Sequence, residues 1–134
     1  MNIPLPIILH ALFMFIGFVV LLYAASISMK KKTNQWLKKH RITALSGVTS
    51  VITGLIIMIL FKESKGYPHL DSPHAIGGLV TCFMSLITPT LGYLITKGKQ
   101  KVKPLHKWSG RLTIILVAIT IIFGFIRLLE IVTK

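Results

Sequence analysis

The sequence predicts an all-α integral membrane protein, an up-and-down antiparallel bundle of four helices. Three observations carry that prediction. Of 134 residues, 53% are hydrophobic and only 14% are charged, whereas a water-soluble domain is about one-quarter charged. The charges are clustered and leave four long apolar stretches, each near the ~20 residues that cross a hydrocarbon core as a helix. The connections between them are about a dozen residues or fewer, which favours antiparallel neighbours. Residues 1–134 are expected to form a single four-helix transmembrane domain, with no room for a soluble catalytic module.

The first span is expected over residues 3–29, and no charged side chain occurs from Met1 to Met29. It lacks a basic leading segment and exceeds the ~7–15-residue apolar core of a signal peptide, so a retained helix is expected. The second span covers residues 42–61. The third covers 75–96, opened by Ser72-Pro73, an N-cap hydroxyl followed by the imino acid that suits a first helical turn. Within it, Thr88-Pro89-Thr90 predicts a kink. The fourth covers 105–132 with a charge-free centre at 112–126, and Pro104 opens it. Lys107, Arg111, Arg127 and Glu130 lie at its ends, where long basic side chains reach the interface. Trp36, Tyr67 and Trp108 fall near the expected interfaces, as aromatic belts do. Cys82 is the single cysteine, which excludes a disulfide within the chain.

Sixteen Lys and Arg stand against three Asp and Glu, a net charge of +13. In a soluble domain that balance would point to nucleic acid. Clustering between apolar spans excludes this partner and makes the charge an orientation signal instead. Lys30, Lys31, Lys32, Lys38, Lys39, Arg41, Lys97, Lys99, Lys101, Lys103, Lys107 and Arg111 fall on one side. Lys62, Lys65, Arg127 and Lys134 fall on the other, with Glu63, Asp71 and Glu130. Twelve against four predicts the first and third connections in the cytoplasm and both termini outside; the membrane expected is the plasma membrane. Anionic lipid is the expected surface partner, at about 1 kcal/mol per basic residue near the headgroups.

Four of the five histidines share one kind of position. His10, His40, His74 and His106 each lie in the first turn or two of an expected helix, at separations of 30, 34 and 32 residues. Because antiparallel helices begin on alternate sides, His10 and His74 form an outer layer and His40 with His106 an inner one. Each layer draws on helices that are not sequence neighbours. Helices pack ~8–10 Å apart, so diagonal members of a square bundle are roughly 11–14 Å apart. That is too wide for two imidazoles to grip a bare zinc, which takes about four ligands, but it suits two imidazoles on opposite faces of a porphyrin. No Cys-x-x-Cys-His occurs, so covalent attachment is excluded. Two layers imply two b-type haems (iron protoporphyrin) on axial histidines.

Space for a macrocycle is readable as small residues. Ala44, Gly78 and Gly110 come one turn after His40, His74 and His106, while Gly17 and Gly47 come two turns after His10 and His40. Met14 departs from this pattern. Close helix packing is the competing explanation of such positions. His69, in Tyr67-Pro68-His69-Leu70, stands outside the one-per-helix rule and is expected to be solvated, or to substitute for His74.

Lys39-His40-Arg41-Ile42, Pro73-His74-Ala75-Ile76-Gly77-Gly78 and His106-Lys107-Trp108-Ser109-Gly110-Arg111 resemble helix motifs of the cytochrome b561 family, in its eukaryotic and DOMON-associated form. The last resembles that family's His-x-x-x-Gly-Arg. His10-Ala11-Leu12-Phe13-Met14 is similar to its first-ligand helix, with alanine in place of glycine. The resemblance spans nearly the whole chain. It implies a four-helix core with two bis-histidine b haems, His10 pairing with His74 and His40 with His106. It also implies transmembrane electron transfer from a cytoplasmic donor to an outer acceptor. Lys38, Lys39, Arg41, Lys103, Lys107 and Arg111 would then meet haem propionates or an anionic donor. Members with six helices exceed this four-helix core, and no counterpart of the family's ascorbate-binding residues is present.

Competing classes are a haem-binding anchor subunit that exchanges electrons with quinone, and a cofactor-free small membrane protein. Redox partner proteins or a second copy of the chain are the macromolecular partners expected. A four-histidine non-haem site would need all four side chains at one depth, against the alternation of helix direction. No acidic residue lies mid-membrane to serve a transporter.

Overall fold

The computed structural model describes residues 3–31 and 34–133. Lys32 and Lys134, both counted in the charge asymmetry, lie outside them. The chain is an all-α bundle of α1 (Leu5–Lys30), α2 (Trp36–Lys65), α3 (Pro73–Thr96) and α4 (Lys103–Val132), with a 3-10 turn at Gln100–Val102 before α4. All four helices are long and apolar enough to cross a membrane, and the protein is an integral membrane protein.

Helix ends follow backbone chemistry more than hydropathy. α1 starts after Pro4 and carries another proline in its first turn, where a missing N–H costs nothing. It stops at Lys31, a left-handed C-cap with φ of 44° whose N–H donates to the Ile27 carbonyl. α2 is longer at both ends than the charge-free run 42–61, spanning 30 residues. That is about 45 Å at 1.5 Å per residue, against a hydrocarbon thickness of ~30 Å. The difference is the charged flanks: Lys38, Lys39 and Arg41 continue the helical hydrogen bonding while their side chains stay exposed. Gly66, with φ of 65°, ends α2. Ser72 caps α3 as the Ser-Pro pair predicts, its hydroxyl accepting from the Ala75 N–H at 3.3 Å. α3 runs on through Pro89, and α4 begins two residues before the expected 105.

α1 packs most extensively on α2, and α3 on α4; α1–α4 and α2–α3 contacts then join the two hairpins. Among the described residues α1 and α3 have no close backbone contact, nor do α2 and α4, so these are the diagonals of the bundle. The apolar core is Met14, Leu21, Val48, Val51 and Val117, with Phe18, Ile52, Ile114 and Ile121 against it. Most large apolar side chains instead face outward, among them Phe15, Phe83 and Phe125. In water such a surface would drive association; in lipid it is the solvated face. Several of the most buried side chains are polar, namely Thr81, Ser85, Ser109, Thr113 and Thr120. This fits a bundle in which packing and interhelical hydrogen bonds, rather than hydrophobic burial, join the helices.

Candidate functional site

Each helix carries one inward stripe that starts at its histidine. In α1 the stripe is His10, Met14, Gly17, Leu21 and Ala24, and in α2 it is His40, Ala44, Gly47, Val51 and Gly54. In α3 it is His74, Gly78, Thr81, Ser85 and Thr88, and in α4 His106, Gly110, Thr113, Val117 and Thr120. The steps of four, three, four and three residues keep one helical face turned inward. The four stripes are in register.

That register sets the histidines. His10 Nδ1–H donates to the Gly54 carbonyl at 2.8 Å, and His40 Nδ1–H to Ala24 at 2.9 Å. His74 Nδ1–H donates to the Thr120 carbonyl at 3.0 Å, and His106 Nδ1–H to Thr88 at 2.9 Å. Within each hairpin the imidazole of one helix is therefore held by the last residue of its partner's stripe. A carbonyl can only accept, so every Nδ1 carries the proton and every Nε2 presents a lone pair. This is the tautomer that metal-ligating histidines adopt, with the second nitrogen oriented by a backbone acceptor.

The four rings meet as two diagonal pairs. His10 and His74 have ring centroids 5.9 Å apart with planes at 82°, and His40 and His106 lie 6.3 Å apart at 79°. An iron gripped from opposite sides by two Nε2 atoms at about 2 Å needs ring centroids about 6.3 Å apart, because each nitrogen lies about 1.1 Å from its ring centre. The centroid separations of both pairs match that spacing to within about 0.5 Å. The same rings do not suit a bare ion: among the described residues no group of three or more His, Cys, Asp or Glu converges. The four-histidine non-haem alternative fails on this ground, since the pairs occupy opposite ends of the bundle.

The glycines divide into two roles. A Cβ on Gly17 would sit 2.7 Å from Val51 Cγ2, and one on Gly47 2.8 Å from Leu21 Cγ. The room they provide is filled by the neighbouring helix of their own hairpin, so packing of α1 on α2 accounts for both. Gly78 and Gly110 face Thr120 and Thr88 at ordinary contact distance, 4.0 and 3.7 Å. Two glycines that the sequence did not single out touch the histidines themselves. A Cβ on Gly124 would lie 2.8 Å from His74 Cε1, and one on Gly92 3.0 Å from His106 Cε1. Their signal was available: Gly92 follows His74, and Gly124 follows His106, by 18 residues.

Lys39, Arg41, Lys107 and Arg111 are exposed at the end that carries His40 and His106. The Arg111 guanidinium lies over Trp108 at 5.5 Å from the ring centre. No carboxylate occurs at that end among the described residues. At the opposite end the three acids are all paired: Asp71 with Lys62, Glu63 with His69, and Glu130 with Arg127. His69 is thus an exposed loop residue facing Glu63 at 2.9 Å.

Neither the curated proteins nor the solved structures compared with the chain yield a match. The sequence model of eukaryotic cytochrome b561, by contrast, matches residues 9–129. That stretch takes in all four histidines of the two pairs, and the chain belongs to the eukaryotic cytochrome b561 family, whose members carry electrons across membranes with haem.

Proposed function

We propose that this chain conducts electrons across the plasma membrane, from a cytoplasmic reductant to an acceptor outside. In this reading His10 and His74 hold one b-type haem and His40 and His106 hold a second. The observation that carries it is the set of four equivalent Nδ1–H···O=C bonds, which leave an Nε2 lone pair on each member of two diagonal pairs. His10, His74, His40 and His106 would hold the haems, and each haem would supply a one-electron iron couple when bound.

The protein's part is placement and environment. Ala24, whose carbonyl holds His40, lies 14 residues after His10 on the same helix, so the two layers are separated by about 21 Å along α1 at 1.5 Å per residue. Both layers therefore lie within the apolar span, one toward each face. Two imidazoles would hold each haem, so its ligand positions would be filled by the protein and would leave none for a donor or acceptor. Lys39, Arg41, Lys107 and Arg111 flank His40 and His106 and supply uncompensated positive charge toward propionates or an anionic donor. The same imbalance supports a cytoplasmic location for this end and termini outside.

A visible spectrum of the purified, haem-replete protein, oxidised and then reduced with dithionite, tests the reading. A bis-imidazole b-type spectrum with two haems per chain by pyridine haemochrome is expected. Replacing His10 or His74 with alanine should remove one haem, and replacing His40 or His106 the other. Simultaneous loss of both from every single variant would sink the two-site assignment. Cysteines introduced at Ser64 or Gln100 should react with an impermeant reagent on whole cells at position 64 only; the reverse overturns the orientation.

A further inference from the structure

Two hydroxyl pairs stand behind the histidines of α3 and α4. Thr88 Oγ1 lies 3.0 Å from Thr113 Oγ1, and Thr81 Oγ1 lies 3.0 Å from Thr120 Oγ1. Each pair includes the residue whose carbonyl holds an imidazole, Thr88 for His106 and Thr120 for His74. The hydroxyl of that residue reaches back to the helix that bears the same imidazole: Thr113 follows His106 by seven residues, and Thr81 follows His74 by seven. Each end of the hairpin thus contains a closed circuit of ring, carbonyl, hydroxyl and hydroxyl across one seam. Thr113 Oγ1 donates to the Ser109 carbonyl at 2.8 Å, so the proton bridging that pair comes from Thr88. α1 and α2 have no such circuit, because Ala24 and Gly54 carry no hydroxyl.

The two circuits are not equally supported by backbone. Pro89 has no N–H, which leaves the Ser85 carbonyl without its helical donor, and the buried Ser85 hydroxyl makes no hydrogen bond among the described residues. The equivalent places in α4 are Val117 and Ile121, with regular helix around Thr120. The bond that Pro89 removes is the one to Ser85, in the turn that precedes Thr88, whereas α4 keeps the matching bond.

Resting on the two-haem reading above, we propose that Thr88–Thr113 and Thr81–Thr120 are positioning latches. Each fixes the Nδ1–H···O=C bond of one histidine and thereby sets the reduction potential at one end of the bundle only. A firmly held acceptor makes the imidazole a more basic ligand, which favours the oxidised metal, so loosening a latch raises the potential at its own end.

The test is a redox titration of the full-length, haem-loaded protein, with the two spectral components assigned from His10→Ala and His40→Ala. Thr88→Val and Thr113→Val keep shape and delete the hydroxyl. Each should raise the potential of the His40–His106 component and leave the other in place. Thr81→Val and Thr120→Val should do the same at the His10–His74 component. Thr88→Ser and Thr120→Ser should restore the wild-type values. Loss of one haem from a valine variant with the other retained also supports the latch. Unmoved potentials, equal shifts of both components, loss of both haems, or serine variants that behave like valine overturn it. A wild-type protein without a bis-imidazole spectrum removes the two-haem reading and the latches together. A normal spectrum with unmoved potentials removes the latches alone.

Discussion

The α1–α2 and α3–α4 hairpins place their histidines in the same way and reach that result through different chemistry. In the first, Gly17 and Gly47 meet across the seam, and Leu21 and Val51 fill the space a side chain would need. In the second, the corresponding places are Thr81 and Thr113, and hydroxyl pairs bridge the helices. The first hairpin brings backbones together, with the Ser50 hydroxyl donating across it to the Phe13 carbonyl at 2.7 Å; the second spans its seam with paired hydroxyls. In lipid both are workable, because small residues and hydroxyls are what hold helices together where hydrophobic burial offers no gain. An added side chain must displace its neighbour, whereas deleting a hydroxyl leaves the packing in place, and substitutions should separate the two.

The largest effect is expected at the glycine seam. Gly17→Leu puts a branched side chain where even a Cβ would be 2.7 Å from Val51. Overpacking of this kind costs about 1–3 kcal/mol where neighbours can yield, and the Gly47 carbonyl at 3.1 Å cannot. Because the same seam supplies the acceptors of both His10 and His40, haem content should fall at both ends, with a lower melting temperature in detergent. Retention of either haem at wild-type stoichiometry would show the seam to be looser than drawn.

Next comes Gly124→Ala, whose Cβ would meet His74 Cε1 at 2.8 Å. The ring must turn, so the His10–His74 haem should be lost or spectrally altered while the other stays. Gly92→Ala, at 3.0 Å from His106 Cε1, should act at the opposite end and more weakly. Haemochrome counting and low-temperature absorption distinguish the ends, and a substitution that disturbs both would contradict the local reading.

How much of this was legible follows from where the information resides. The bundle was readable because membrane spans are written in side-chain polarity. Helix ends were less so, since Lys38, Lys39 and Lys103 are helical yet count as breaks on a hydropathy scale. The histidines stood out by type and position. Their acceptors did not, because Ala24, Gly54, Thr88 and Thr120 act through carbonyls that every residue owns. Only the repeated 14-residue offset from each histidine marks them. Gly17 and Gly47 were visible as small residues, but composition cannot say whether the space they leave faces a ligand or a neighbouring helix. Val51 and Leu21 occupy that space.

The seam of the second hairpin contains one group that its bonding scheme does not use. Ser85 is fully buried, with a hydroxyl that finds no partner among the described residues. An unpaired buried hydroxyl carries a desolvation cost of about 1–3 kcal/mol. Ser85→Ala should therefore leave thermal stability unchanged or raise it, unlike the hydroxyl-deleting changes at Thr88 and Thr113. A drop of several degrees would mean that Ser85 donates a bond the scheme omits.

The smallest effect belongs to the junction between the hairpins. Lys62 Nζ, near the end of α2, donates to Asp71 Oδ1 at 2.6 Å and to the Pro68 carbonyl at 2.8 Å. It ties the loop to the residue before the Ser72 cap. That hydrogen bond holds the Asp71 carboxyl below the usual carboxylate range. With the folded value depressed, the pair's contribution is present at pH above the ordinary carboxylate pKa and fades as pH falls through the lower folded value. Asp71 is exposed, and exposed pairs contribute only ~0.2–1 kcal/mol. Asp71→Asn should thus lower the melting temperature slightly at neutral pH, and the gap from wild type should close in acid. Both haem signals should be unchanged, because the junction fixes how the hairpins connect while the stripes fix where the histidines meet. If Asp71→Asn did shift the His10–His74 spectrum, the loop would have to be counted as part of that site.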